Sequence, residues 1–202
     1  MPPAVSGILL AGGASSRFGR DKLVASVGGR PLFQLPLAAL AAVCDEVVLV
    51  VGPDAEPPAL PPSPVPIRIA RDERRHEGPL VAASVGLAAV GGALALIAAG
   101  DMPGLRRELL VLLVERSSAD VDAVALVDGE RWRPLPSLVR VGPARSLARR
   151  LVDSGERRLR ALVAGLRLDA VPEAAWRQAD PEGAWRRDVD VPGDLAERDR
   201  RG

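Results

Sequence analysis

Two stretches of this chain carry apolar residues on both faces, and that limits the architectures open to it. One is the run from Glu46 to Val51; the other, Ala93 to Ala99, contains no charge or hydroxyl at all. A strand in an open antiparallel sheet alternates apolar with polar, whereas a two-faced apolar strand suits a parallel sheet covered on both sides by helices. The remaining periodicity agrees. Strands are expected at Val5 to Leu10, Ile67 to Ala70, Ala123 to Val127, Leu135 to Val139 and Arg167 to Val171. Helices are expected at Leu32 to Ala42, Pro79 to Val90, Arg106 to Glu115, Ala144 to Ser154 and Glu156 to Ala164. Pro53 to Pro66 holds seven prolines and reads as a surface loop. The part after Val171 reads as a loop rich in Trp, Asp and Pro, with a short helix after Pro192. Strands alternating with helices imply an α/β fold, a doubly wound and mostly parallel sheet with helices on both faces. With 202 residues and no long linker, a single domain over residues 1–202 is expected.

Composition narrows the functional classes. The formal net charge is +1 and aromatic residues make up 2% of the chain, so neither a basic footprint nor a stacking platform for nucleic acid is present. Cys44 is the only cysteine, which excludes an intrachain disulfide. The N-terminus does not read as a signal peptide. The 23 residues from Gly78 to Gly100 carry no charge, but eight are Ala and five are Gly, too weakly apolar to insert into a bilayer. A cytoplasmic protein with no membrane partner is expected. Arginine outnumbers lysine 26 to one, and Asn, Thr and Tyr are absent. In such a chain the lone Lys22 stands out, because Arg is the default base.

In a doubly wound sheet, ligands bind at the carboxyl ends of the strands, near the point where the strand order reverses. Two loops there draw the argument. The first runs Leu10-Ala-Gly-Gly-Ala-Ser-Ser-Arg-Phe-Gly-Arg-Asp-Lys22. Gly12 and Gly13 allow backbone amides to approach phosphate oxygens without a Cβ in the way. Ser15 and Ser16 add hydroxyl donors, and Arg17 and Lys22 can neutralise a triphosphate. The loop lacks the Gly-Lys-Ser/Thr ending of a P-loop and the Gly-x-Gly-x-x-Gly spacing of a dinucleotide site. The second loop is Gly100-Asp101-Met102-Pro103. A carboxylate ending a buried strand suits Mg²⁺, which takes oxygen ligands from one or two carboxylates and from substrate phosphates. Capping of the following helix is the structural alternative for Asp101. Asp72 reads as one charge in a polar loop with Arg71, Glu73, Arg74 and Arg75. His76, the only histidine, sits beside Glu77 and reads as a solvated residue.

The first loop resembles the signature of sugar-nucleotidyltransferase-like enzymes, and most of all that of molybdenum cofactor guanylyltransferases, in which an Asp (here Asp21) precedes the Lys. The resemblance runs in order through the chain. Gly100-Asp101-Met102-Pro103 is similar to the family's metal-binding motif, and Gly78-Pro79-Leu80 to the segment that opens a helix near the nucleotide. Asp128 to Val139 and Ser154 to Leu159 are similar to two segments lining the acceptor side. Asp188-Val-Asp-Val-Pro-Gly-Asp-Leu195 resembles the closing motif, with Asp where the family carries Asn and Val191 where it carries Thr.

The resemblance implies a Rossmann-like nucleotidyltransferase that moves GMP from GTP to the molybdopterin form of the molybdenum cofactor, with pyrophosphate released. It implies nucleotide binding by Leu10, Ala11, Gly12, Gly13, Ser15, Lys22, Asp72 and Asp101, with Arg17 and Lys22 as the catalytic cations. Arg131, Arg133, Arg157, Arg158 and Asp188 fall on the acceptor side, where guanidinium groups suit an anionic pterin-linked phosphate. Asp101 and Asp190 become the Mg²⁺ ligands. The resemblance also allows transient contact with cofactor-biosynthesis proteins or molybdoenzymes. A CTP-using sibling, another NTP-dependent transferase with a phosphorylated acceptor, and a non-catalytic nucleotide-binding regulator are the alternatives.

Overall fold

The computed structural model describes residues 3–11, 26–27, 29–72 and 78–187. Its centre is a seven-stranded sheet. In chain order the strands are β1 (Val5–Leu10), β4 (Glu46–Val51), β5 (Ile67–Arg71), β6 (Leu94–Ala99), β7 (Ala123–Asp128), β8 (Arg131–Arg140) and β9 (Leu168–Val171). Two two-residue strands, β2 (Ser26–Val27) and β3 (Arg30–Pro31), pair separately. Across the sheet the order is β5-β4-β1-β6-β8-β7-β9. The first four are parallel to one another; β8 runs antiparallel to both β6 and β7, and β9 is parallel to β7. Thus β8 alone is inverted.

The apolar strands are two-faced because each face has its own helical cover. Leu9, Val47, Leu49, Leu96 and Ala98 point into one core, closed by α1 (Gln34–Ala41), α3 (Arg107–Glu115) and α6 (Glu173–Ala179). Ile8, Leu10, Val48, Val50 and Ile97 point into the other, closed by α2 (Pro79–Ala89), α4 (Val141–Asp153) and α5 (Leu159–Ala164). Alternate residues of a strand face opposite sides, so both registers had to be apolar. On α2 the approach is close. A Cβ on Gly86 would lie 2.5 Å from Ile8 Cγ2, so a side chain there would push the helix off the sheet.

Four boundaries differ from the sequence-based expectation, the simplest being α5, which begins at Leu159 rather than Glu156 because residues 155–158 form a loop. Strand β8 begins at Arg131 rather than Leu135, forming a tight hairpin with β7 through Gly129-Glu130. Pro134 and Pro136 argue against a continuous ladder because proline donates no N–H. The sheet accommodates them in a register shift: Ala125 pairs with Ser137 and Val127 with Trp132, so residues 133–136 loop out of the ladder. Helix α4 begins at Val141, with Pro143 in its first turn where no N–H is needed. The stretch expected to be loop after Val171 contains α6 and a 3₁₀ turn, Ala184–Arg186. Both are too short to show helical periodicity, and both are held by Trp176 and Trp185, which are buried and meet edge to face at 5.5 Å. The short helix expected after Pro192 lies outside the described residues.

Candidate active site

The chain crosses from β1 through β4 to β5 in one direction and then returns to place β6 on the other side of β1. The reversal therefore falls between β1 and β6, and the crevice above their carboxyl ends is where a ligand is received. Backbone hydrogen bonds fix the exits. The Ala11 N–H donates to the Val50 carbonyl at 2.8 Å, and the Gly100 N–H donates to Leu10 at 2.9 Å. The Asp72 N–H donates to Val51 at 2.9 Å. Adjacent strands stand roughly 5 Å apart, so Asp72 and Asp101 bracket the Ala11 exit across three strand spacings, about 14 Å. Leu10 and Ala11 are buried in the floor between them. The rest of the glycine-rich loop, with Gly12, Gly13, Ser15, Arg17 and Lys22, lies outside the described residues. So do His76, Asp188 and Asp190.

Asp101 occupies the tip of a turn closed by the Met102 N–H donating to the Ala99 carbonyl at 3.3 Å. A second turn follows, from the Leu105 N–H to the Met102 carbonyl at 3.1 Å. Met102 and Leu105 are both buried in the core beneath, so two apolar anchors hold the carboxylate at the rim. The capping alternative does not apply. Helix α3 starts at Arg107 after Arg106 in the N-cap position, and no side chain makes a capping hydrogen bond there.

Arg131, Arg133, Arg157 and Arg158 gather where β7, β8 and α5 reach the same edge. Asp128 ends β7 and binds two arginines, Arg133 at 2.9 Å and Arg186 of the 3₁₀ turn at 3.2 Å. Burial pushes its carboxyl up, but the hydrogen bonds and charges of Arg133 and Arg186 prevail and hold it below the ordinary range. Arg131 is exposed across the hairpin from Asp128. Trp132, next along β8, lies under the Arg160 guanidinium at 4.0 Å, while Arg160 also donates to the Trp132 carbonyl at 2.9 Å.

The loop from Gly155 to Arg158 is organised by Glu156. Its carboxylate accepts the backbone N–H groups of Arg157 and Arg158 at 2.8 and 3.0 Å and the Arg158 guanidinium at 2.9 Å. Hydrogen bonding by the Arg158 side chain, then by the two backbone amides, holds this carboxyl down at about 2. Arg157 turns inward instead, donating to the carbonyls of Val152 and Glu156 at 3.1 and 2.9 Å. Its own carbonyl accepts from Leu80 N–H at 3.1 Å, which docks the loop on the first turn of α2. Gly78 makes that docking possible. Its φ is +92°, and a Cβ would stand 2.8 Å from the Arg157 carbonyl oxygen. The two family segments that sequence order keeps far apart thus meet in space.

Asp128 and Glu156 fall inside the two segments that carry the resemblance, but nothing in the sequence marks Arg186 or Arg158 as their partners, and Arg160, outside both segments, had no signal at all. A separate cavity of about 380 Å³, lined by Arg30, Gln34, Ala38, Pro62 and Ile67, lies at the amino end of β5 and is unconnected with these loops.

Residues 7–171 match the family described as MobA-like NTP transferase domain, more than three quarters of the chain. The chain belongs to the MobA-like NTP transferase family. Relatives of this NTP transferase include a probable molybdenum cofactor guanylyltransferase of Mycobacterium avium, 37% identical over 164 residues, or 79% of this chain and 80% of the relative. Another of the same name, from Chloroflexus aggregans, is 33% identical over 199 residues, 95% of this chain and 91% of the relative. Among solved structures, molybdopterin-guanine dinucleotide biosynthesis protein A of Archaeoglobus fulgidus superposes with a TM-score of 0.76 at 21% identity, covering 96% of this chain and 97% of the other. That likeness shows the fold.

Proposed function

We propose that this NTP transferase moves a guanylyl group from GTP to the terminal phosphate of a molybdopterin-type acceptor, releasing pyrophosphate. The observation that carries the reading is the position of Asp101: at the tip of a core-anchored turn, beside the β1 exit, and five residues ahead of the N-cap of α3. The relatives named as guanylyltransferases supply the substrates.

The acceptor phosphate oxygen attacks the α-phosphorus of GTP, a new P–O bond forms, and the bond from the α-phosphorus to the bridging oxygen breaks as pyrophosphate leaves. A phosphate nucleophile is already anionic, so no general base is required; alignment and charge neutralisation carry the rate. Asp101, with Asp190, would hold Mg²⁺, whose charge on the phosphates assists departure of pyrophosphate. The donor type fits such an ion: carboxylates offer hard oxygens, and Mg²⁺ takes one or two of them and completes its shell with waters and substrate phosphates. Among the described residues no trio of protein ligands is gathered, and Mg²⁺ needs none. Arg17 and Lys22 neutralise the triphosphate, and Gly12, Gly13 and Ser15 cradle it. Asp72, three strands across, accepts from the two N–H donors on the guanine edge. Arg131, Arg133 and Arg158 receive the acceptor's phosphate. Arg133 and Arg158 are 53% and 82% exposed within their ion pairs, so exchange of a carboxylate partner for phosphate is inexpensive.

The test is pyrophosphate release with molybdopterin, Mg²⁺ and each NTP in turn. GTP is expected to support turnover. A preference for CTP would overturn the guanine assignment, and silence with every NTP would leave a nucleotide-binding regulator.

A further inference from the structure

Asp180 is a charged side chain that the chemistry above does not use, and its exposure is 0%. One oxygen, Oδ2, accepts the Trp185 N–H at 3.1 Å. The other, Oδ1, is fully shielded, has no hydrogen-bond partner among the described residues, and stands 3.8 Å from Arg106 Nε. A half-satisfied buried carboxylate is costly. An asparagine would serve the Trp185 amide equally well without burying a charge. What the charge adds is a pull on Arg106.

Arg106 ends the loop that carries Asp101, one residue after Leu105 closes its second turn. The same loop touches the C-terminal 3₁₀ turn at Gly104, where a Cβ would lie 2.1 Å from the Ala184 carbonyl oxygen. That turn is itself fastened to the sheet edge. Trp176 Nε1 donates to the Val127 carbonyl at 2.7 Å, and Arg186 pairs with Asp128 at 3.2 Å. A continuous path therefore runs from the end of β7, through the C-terminal turn and Asp180, to Arg106 and the Asp101 loop.

We propose that Asp180 is a positioning residue for guanylyl transfer: its buried charge draws Arg106 inward and seats the Asp101 loop against the C-terminal turn. The inference rests on the reading of Asp101 as a metal ligand. Asp180→Asn preserves volume and the acceptor for Trp185, and removes the charge. Arg106→Gln removes the other partner from a site that is 47% exposed, where the fold tolerates the change. Mn²⁺ binding to the GTP-loaded protein, followed by electron paramagnetic resonance, is expected to weaken about tenfold in both variants. Hydrogen exchange at residues 100–105 should quicken in both, while GTP affinity without metal stays at the wild-type value. Wild-type Mn²⁺ affinity in the two variants, whatever happens to their Tm, would overturn the proposal. If Asp101→Asn binds Mn²⁺ as tightly as the wild type, the reading of Asp101 itself fails and this inference falls with it.

Discussion

At the scale of single residues, charge neutralisation is the chemistry on offer, and it makes sharp demands. Removing one preorganised charge partner of a transition state costs on the order of 10²–10³-fold in rate. Asp101→Ala and Lys22→Ala are each expected to lower kcat for pyrophosphate release by about that factor, measured with GTP and acceptor saturating. Glu156 makes a different prediction. Its carboxyl is held at about 2, below the ordinary 4.5. A depressed carboxyl stabilises the fold fully above 4.5, and that contribution fades as pH falls through 2. Carbon-13 NMR of the side-chain carboxyl should show it ionised at pH 3.5, and Glu156→Gln should abolish the corresponding part of the acid dependence of unfolding. Cys44 has no comparable role. Burial, then the charge of Asp45, pushes its thiol up to about 12, so it stays protonated and inert toward alkylation in the native state at neutral pH.

Elements place these residues, and here the sequence was legible in proportion to length. The buried strands and the helices α1 to α3 were found within a residue or two, because long apolar runs and helical spacing carry their own signal. Strand β8 was half found: its prolines spoke against pairing, and only a register shift, a property of two strands together, reconciles them. Helix α6 and the 3₁₀ turn were missed because a few residues show no period; Trp176 and Trp185 hold them through tertiary contacts. The same logic sets the cost of changes at junctions. Gly78→Ala forces a side chain into a φ of +92° and against the Arg157 carbonyl, so equilibrium unfolding in urea should show a loss of about 1–3 kcal/mol with an unchanged m-value. Trp176→Phe leaves the half-buried Val127 carbonyl without its indole donor and should cost about 1–3 kcal/mol by the same measurement.

Over the whole molecule, one sheet brings two sets of loops to a single edge. Its parallel half, β5-β4-β1-β6, brings Asp72, Ala11 and Asp101 to one edge, while β8, β7 and their loops bring a basic, Trp132-bearing ledge to the same edge. The fold class was readable from strand spacing, and so was the place of Asp101 just after the buried strand β6 at the carboxyl edge of the sheet. The joining of Gly78 to the Arg157 loop, and of Asp128 to Arg186, was not, since those pairs lie 79 and 58 positions apart in a chain where arginine is too common to mark a site. Among the described residues no helix is long and apolar enough to cross a membrane. The central claim is that GTP and its metal lie together in the crevice between β1 and β6. A crystal structure with a non-hydrolysable GTP analogue and Mg²⁺ addresses it directly. The account predicts the metal at about 2.1 Å from an Asp101 oxygen, bridging to the phosphates, with Lys22 on the triphosphate and the guanine toward Asp72. A nucleotide bound elsewhere, or a metal held without Asp101, would contradict it.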